Sequence, residues 1–158
     1  MNPNLYIEVP ECLSPEQLKM MCELEIDAFG SDGSVDEYGI IAIVRNGRLI
    51  WLREEGDNRP VAVCELMRDY KQCDLAYIFG FYVRSDKQGR GYGRILMNHV
   101  FDLVRQDQFS EISLTVKPSN VAAVKLYERM GFRVAEIRKD EYGVGSDRYY
   151  MVKSLVGD

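Results

Sequence analysis

The chain has 158 residues, 46% of them hydrophobic and 28% charged, which suits one globular domain spanning residues 1–158. Its net charge of −5 argues against a nucleic-acid binder, whose electrostatic footprint is basic. No run approaches the ~18 apolar residues of a membrane span, and the start, Met1-Asn2-Pro3-Asn4-Leu5-Tyr6, has no basic region followed by an apolar one, so no secretory signal is expected. Cys12, Cys22, Cys64 and Cys73 show no C-x-x-C spacing and three of them have apolar neighbours, so buried or half-buried reduced thiols in a cytoplasmic protein are expected. His99 is the only histidine, which leaves no His-rich metal site, and no metal is expected.

In chain order, Leu5 to Val9 reads as a short strand. Ser14-Pro15-Glu16-Gln17 signals a helix start, with Ser14 as N-cap, proline at the first helical position and glutamine at the capping-box position. That helix is expected to reach about Phe29 and stop at Gly30, followed by a polar loop or short helix over Ser31 to Gly39. Ile40 to Val44, Arg48 to Arg53 and Val61 to Arg68 are apolar or β-branched runs that predict strands, with turns at Asn46-Gly47 and Glu55-Gly56-Asp57-Asn58. Leu75 to Val83 predicts an aromatic-rich strand whose interior Gly80 marks a bulge or a close backbone approach. A helix from about Tyr92 to Gln106 carries Ile95, Leu96, Val100, Leu103 and Val104 on one face, and His99 beside that stripe reads as structural. Ile112 to Val116 is a strand, and Pro118-Ser119-Asn120 opens a helix that ends at Met130, with Gly131 as a left-handed C′ residue. Arg133 to Lys139 and Arg148 to Ser154 are the last strands, around a turn with Gly143 and Gly145. This mixed order predicts one α/β or α+β sheet with helices on its faces.

The stretch Gln88-Gly89-Arg90-Gly91-Tyr92-Gly93-Arg94 carries the chemistry. A strand runs into three alternating glycines and a helix starts at once. Glycines admit positive φ and close approach, the helix N-terminus offers N–H groups and partial positive charge, and Arg90 and Arg94 add cations. Together they form a phosphate or pyrophosphate cradle, unless the stretch is an ordinary glycine-rich turn. A Walker loop is excluded because no Gly-Lys-Ser/Thr follows, and the dinucleotide fingerprint fails because Arg94 stands at its third glycine position.

Gln88 to Gly93 resembles the Q/R-x-x-G-x-G/A pyrophosphate motif of the GNAT acyltransferase superfamily, and Phe81-Tyr82-Val83 looks like the end of that family's fourth strand. Asn120 to Phe132 resembles its second signature, N-x-x-A-x-x-L-Y-x-x-x-G-F. Two motifs in the right order are more specific than either alone. The resemblance spans Pro60 to Leu155 and fits the earlier residues only loosely. It implies a mixed, mostly antiparallel sheet flanked by helices with splayed central strands, and acetyl-CoA as acyl donor. It further implies pyrophosphate on the N–H groups of Gln88 to Gly93, pantetheine along the main chain of Phe81, Tyr82 and Val83, and a backbone N–H there polarising the acyl carbonyl.

Tyr127 matches the family tyrosine that often protonates the leaving thiolate, and its other reading is a core aromatic. Asn120, on the same helix face, is a pantetheine contact or a helix cap. The fourth strand lacks the glutamate many members carry there, so Glu65 on the neighbouring strand becomes the candidate base, or else a solvent-facing strand residue. Direct attack by the amine, with a water chain taking the proton, is the other route. Met20 to Val44 holds no lysine or arginine but includes Glu25 and Asp27, which suits a cationic acceptor as well as a solvated acidic face. Tyr142, in the C-terminal turn, lines the acceptor site or is a sheet aromatic. The function expected is acetyl transfer to a primary amine, with a cationic small molecule, a protein N-terminus or a lysine side chain as acceptor. The alternatives are a non-catalytic acyl-CoA sensor and a binder of some other phosphate ligand. The expected partners are acyl-CoA and an amine, with no nucleic acid and no membrane, and the pattern leaves room for a homodimer.

Overall fold

The computed structural model describes residues 4–157, so part of the chain start read above lies outside the described residues. The elements are β1 (Leu5–Glu8), α1 (Pro15–Phe29), α2 (Glu37–Asn46), β2 (Arg48–Glu54), β3 (Ala62–Arg68), β4 (Leu75–Val83), a 3-10 turn (Ser85–Lys87), α3 (Tyr92–Gln106), β5 (Glu111–Val116), α4 (Val121–Arg129), β6 (Arg133–Arg138) and β7 (Arg148–Ser154). The seven strands take the order β1-β2-β3-β4-β5-β7-β6. β1–β2, β2–β3, β5–β7 and β6–β7 pair antiparallel, and β4–β5 pairs parallel. The expected mixed, mostly antiparallel α/β sheet is therefore present. The β4–β5 register runs from Leu75↔Glu111 to Ile78↔Leu114, whereas β4 itself continues to Val83.

The chain divides into two compact units, one made of residues up to Met67 with Gly80–Val100, the other of Arg68–Phe79 with Phe101 onward. In the first unit, α1 starts as its sequence predicts. The Ser14 side chain accepts from Gln17 N at 3.1 Å, and Gln17 Oε1 accepts from Ser14 N at 2.8 Å. Met21 and Leu24 of α1 and Ile40 and Val44 of α2 pack with Leu49, Trp51, Val63 and Tyr82 in one buried cluster. The Trp51 indole N–H donates to the Met21 sulfur at 3.2 Å.

Ile40 to Val44 is helical and not a strand. Asp36 caps α2 through its carboxylate, which accepts from Gly39 N at 3.0 Å. Buried Ile40, Ile43 and Val44 follow helical spacing, so tertiary burial of one helix face overrides the β-branched preference of the run. Asn46-Gly47 is accordingly the end of α2 and not a hairpin turn. A Cβ on Gly47 would lie 2.2 Å from the Leu66 carbonyl oxygen, which is why a glycine stands there.

In the second unit, α4 ends in a Schellman motif. Phe132 N donates to Tyr127 O and Gly131 N to Glu128 O, both at 3.0 Å, with Gly131 at φ 92°. β6 and β7 form the final hairpin, interrupted by a register shift between Val134 and Glu136. Cys22 is half-buried and Cys64 buried, as expected, but Cys12 and Cys73 are exposed, because both sit in connecting segments outside the packed elements. All four thiols are free. Among the described residues no helix is long and apolar enough to cross a membrane, and no group of three or more His, Cys, Asp or Glu side chains is disposed to hold a metal ion.

Candidate functional site

The glycine loop has the conformation its sequence calls for. Gly89 and Gly91 stand at φ 75° and 81°, where other residues are strained, and nothing lies within 4 Å of a Cβ built on either. These are glycines of backbone conformation, with open space in front of them. Gln88 to Gly91 are exposed, while Tyr92 and Gly93 enter the packed start of α3. The first turn of α3 contains no acidic residue of its own to offset its partial positive charge. Gln88 folds back, its Nε2 donating to Val83 O at 3.3 Å.

The cations around the loop have two distinct assignments. Arg84 makes a bidentate pair with Asp57, at 2.7 and 3.2 Å, binds Asp86, and donates to the carbonyls of Arg59 and Pro60. Lys87 reaches Glu54 at 2.9 Å and Asp57 at 3.5 Å. The guanidinium beside it holds the Asp57 carboxyl far below its usual range, and the carboxylates of Asp86 and Asp57 raise Arg84 in turn. Arg90 and Arg94 are exposed and, among the described residues, hold no ion pair, so they are the cations left for an anionic ligand. An exposed glycine loop at a helix start, with two arginines that hold no ion pair, fits a pyrophosphate.

Glu65 is not on a solvent face. It is 1% exposed, and Glu25, expected on an outer acidic wall, is 0% exposed. A Cβ on Gly80 would fall 2.2 Å from Glu65 Oε2. The interior glycine of β4 thus marks a close approach, as one of its two sequence readings has it, and the group that approaches is the Glu65 carboxyl. Glu25 Oε2 accepts from Val35 N at 3.1 Å. Glu25 Oε1, both Glu65 oxygens and the Tyr82 hydroxyl are buried without a hydrogen-bond partner. Burial, and then the neighbouring Glu25 carboxyl, push Glu65 up to about 9, so it carries its proton at neutral pH. That proton turns one member of an acceptor-rich group into a donor. Burial and the two carboxyls also raise the Tyr82 hydroxyl, whose ring meets Phe29 edge-on at 5.4 Å.

Asp27 is exposed and engaged, accepting from Ser85 N at 3.0 Å and Ser85 Oγ at 2.7 Å. It borders a polar cleft of about 350 Å³ whose other walls include Glu23, Arg59 and Arg84. Arg59 pairs with Glu23 there, so the charges of the cleft largely satisfy each other. Phe81 and Val83 are half-buried.

In the second unit, Asn120 caps α4, its Oδ1 accepting from Ala123 N at 3.3 Å. Tyr127 is 7% exposed and packs edge-on against Phe132 at 5.8 Å. Tyr142 is 55% exposed with the Arg148 guanidinium 4.5 Å over its ring. Burial pushes the Tyr77 hydroxyl up to about 12, with Tyr142 adding to the shift and a hydrogen bond to Thr115 opposing it. Sequence reasoning missed the Asp57–Arg84 and Glu54–Lys87 pairs and the meeting of Glu25, Glu65 and Tyr82. Only Gly80 signalled any of this, by marking where a carboxyl presses on a strand.

The model of the acetyltransferase (GNAT) family matches residues 18–132. Ribosomal protein bS18-alanine N-acetyltransferase of Escherichia coli (strain K12) is 39% identical over 69 residues, which is 44% of this chain and 47% of that protein. The chain thus spans about half the length of this relative. Among solved structures, the ribosomal-protein-S18-alanine N-acetyltransferase from Escherichia coli superposes with a TM-score of 0.76 at 24% identity, over 95% of this chain and 94% of the other. A Bacillus subtilis acetyltransferase in complex with CoA gives 0.77 at 18% identity, over 97% and 100%. These two likenesses establish the fold.

Proposed function

Because the chain belongs to the acetyltransferase (GNAT) family, we propose that it is an N-acetyltransferase moving an acetyl group from acetyl-CoA to a primary amine. The observation that carries this reading is the exposed loop Gln88 to Gly91, with Gly89 and Gly91 at positive φ and Arg90 and Arg94 uncommitted, inside the segment the family model matches. The N–H groups of Gln88 to Gly93 hold the pyrophosphate. The main chain of Phe81, Tyr82 and Val83 aligns the pantetheine, with Asn120 contributing a contact. The whole chain works as one acyl-CoA-binding domain in a cytoplasmic setting, and neither nucleic acid nor membrane takes part.

In the proposed reaction the amine nitrogen attacks the thioester carbonyl, a C–N bond forms and the C–S bond breaks. Tyr127 gives its phenolic proton to the leaving thiolate. Glu65 takes the proton released by the nitrogen. A carboxyl pushed up to about 9 does this in its ionised fraction, so the rate should rise with pH toward 9. Glu25 enters through its effect on Glu65, and Asp27 and Tyr142 are the proposed acceptor contacts. The run without lysine or arginine from Met20 to Val44 supports a cationic small-molecule acceptor. The name of the Escherichia coli relative supports a second reading, acetylation of a protein N-terminus.

Calorimetry with acetyl-CoA, followed by thiol release across a panel of polyamines, lysine peptides and N-terminal peptides, tests the proposal. Binding with turnover of one acceptor class is expected. Binding without any turnover makes the chain an acyl-CoA sensor, and no binding rejects the reading. Tyr127→Phe should lower kcat by about 10²-fold with acetyl-CoA affinity kept. An equal loss of affinity reduces Tyr127 to a packing residue.

A further inference from the structure

We infer that Glu54 is the positioning residue of the pyrophosphate loop, a staple that holds both ends of the loop on one carboxylate oxygen. Glu54 Oε2 accepts from Lys87 Nζ at 2.9 Å and from the Tyr92 hydroxyl at 3.1 Å. Lys87 is the last residue before the exposed Gln88 to Gly91, and Tyr92 is the first residue of α3 after it. The free part of the loop is therefore bounded on each side by a bond to the same atom.

Both bonds are sheltered. The side chains of Glu54 and Lys87 are 18% and 14% exposed, and Tyr92 is 5% exposed. Hydrogen bonds of that kind, one to a charged donor and both to a charged acceptor, are the stronger ones. The backbone on the entry side has further anchors. Arg84 N donates to Val61 O at 2.9 Å, Lys87 N donates to Arg84 O at 2.9 Å, and Ser85 is held by Asp27. On the exit side the Tyr92 hydroxyl ties the first residue of α3 back to β2 through Glu54.

Two glycines at positive φ with open space around them give the loop freedom it must lose when its N–H groups converge on one anion. Fixing the loop ends limits that loss before the ligand arrives, which is preorganisation. The staple also neutralises Lys87, so the phosphate charge falls to Arg90 and Arg94.

The inference rests on the reading of this loop as an acyl-CoA site, and the test separates the two. Affinities for CoA and for pantetheine, which lacks the pyrophosphate, are measured by calorimetry on the full chain and on its Glu54→Ala, Glu54→Gln and Tyr92→Phe variants. Glu54→Ala should raise the Kd for CoA about tenfold and leave that for pantetheine unmoved. Glu54→Gln, which keeps an acceptor oxygen, and Tyr92→Phe, which removes one bond only, should each raise it about threefold. In turnover the KM for acetyl-CoA rises while kcat at saturation and the acceptor KM hold. If the unsubstituted protein binds no CoA, the functional reading fails and the inference with it. If it binds CoA and the folded Glu54→Ala and Tyr92→Phe variants bind equally well, the staple alone is overturned. Parallel losses for CoA and pantetheine also overturn it, since they indicate general unfolding.

Discussion

Two groups of carboxylates in the first unit sit in opposite environments. Glu54 and Asp57, from the end of β2 and the turn after it, face Lys87 and Arg84, and those cations hold their carboxyls below the ordinary range. Glu25 and Glu65, from α1 and β3, meet the Tyr82 hydroxyl and each other in a buried space, and there Glu65 is pushed up to about 9. The residue type is shared, so the difference is one of partners. A carboxylate with a bidentate guanidinium stays ionised and organises a loop. A buried carboxyl beside a second one keeps its proton and becomes poised for proton transfer or for neutral packing.

Removing the cation from the first group is the most damaging way to break this contrast. Arg84→Ala should destabilise the protein by about 2–4 kcal/mol in chemical denaturation, because half-sheltered Asp57 loses its bidentate partner and keeps only Lys87 at 3.5 Å, and the carbonyls of Arg59 and Pro60 lose a donor. A loss below about 0.5 kcal/mol would mean that the pair is worth no more than a surface one.

Gly80→Ala attacks the second group. The added Cβ meets the Glu65 carboxyl at 2.2 Å, so the buried group must shift at a cost of about 1–3 kcal/mol. The penalty should shrink when Glu65→Ala is made as well, and a double-mutant cycle measures that coupling. Additive losses would place the strain elsewhere.

The smallest effect concerns pH. The stabilisation from Asp57 is complete above its ordinary value of 3.8 and is lost as pH falls through its lower folded value. Glu65 has the opposite sign. Its folded value of about 9 exceeds the ordinary 4.5, so stability is greatest below 4.5 and declines as pH rises toward 9. Thermal melts of the intact protein should therefore fall from pH 5 to pH 9. Glu65→Gln should flatten that decline and raise the pH 8 midpoint by about 2–4 °C, roughly 1 kcal/mol. An unchanged slope would show that Glu65 is ionised in the folded protein.

What could be read from the chain follows the range of the interactions. The capping box of Ser14 and Gln17, the left-handed Gly131 with Phe132 folded back, and the positive-φ glycines of the loop each involve residues a few positions apart, so the local order of residue types determines them. The family motifs are local too, which is why Gln88 to Gly93 and Asn120 to Phe132 were legible. Glu65 is different. On β3 its neighbours in sequence look the same whether it faces water or Glu25, and forty residues separate the two. Ile40 to Val44 has the composition of a strand and becomes a helix because Asp36 caps it and the shared core accepts its helical face. Asp57 and Arg84, Glu54 and Lys87, and Gly80 and Glu65 are likewise brought together only by strand pairing and loop closure. The local order of residue types thus specifies the strand–loop–helix cradle and its family. Which charges that cradle keeps free, and which carboxyl holds a proton, is settled by folding, because ionisation depends on burial and on partners far away along the chain.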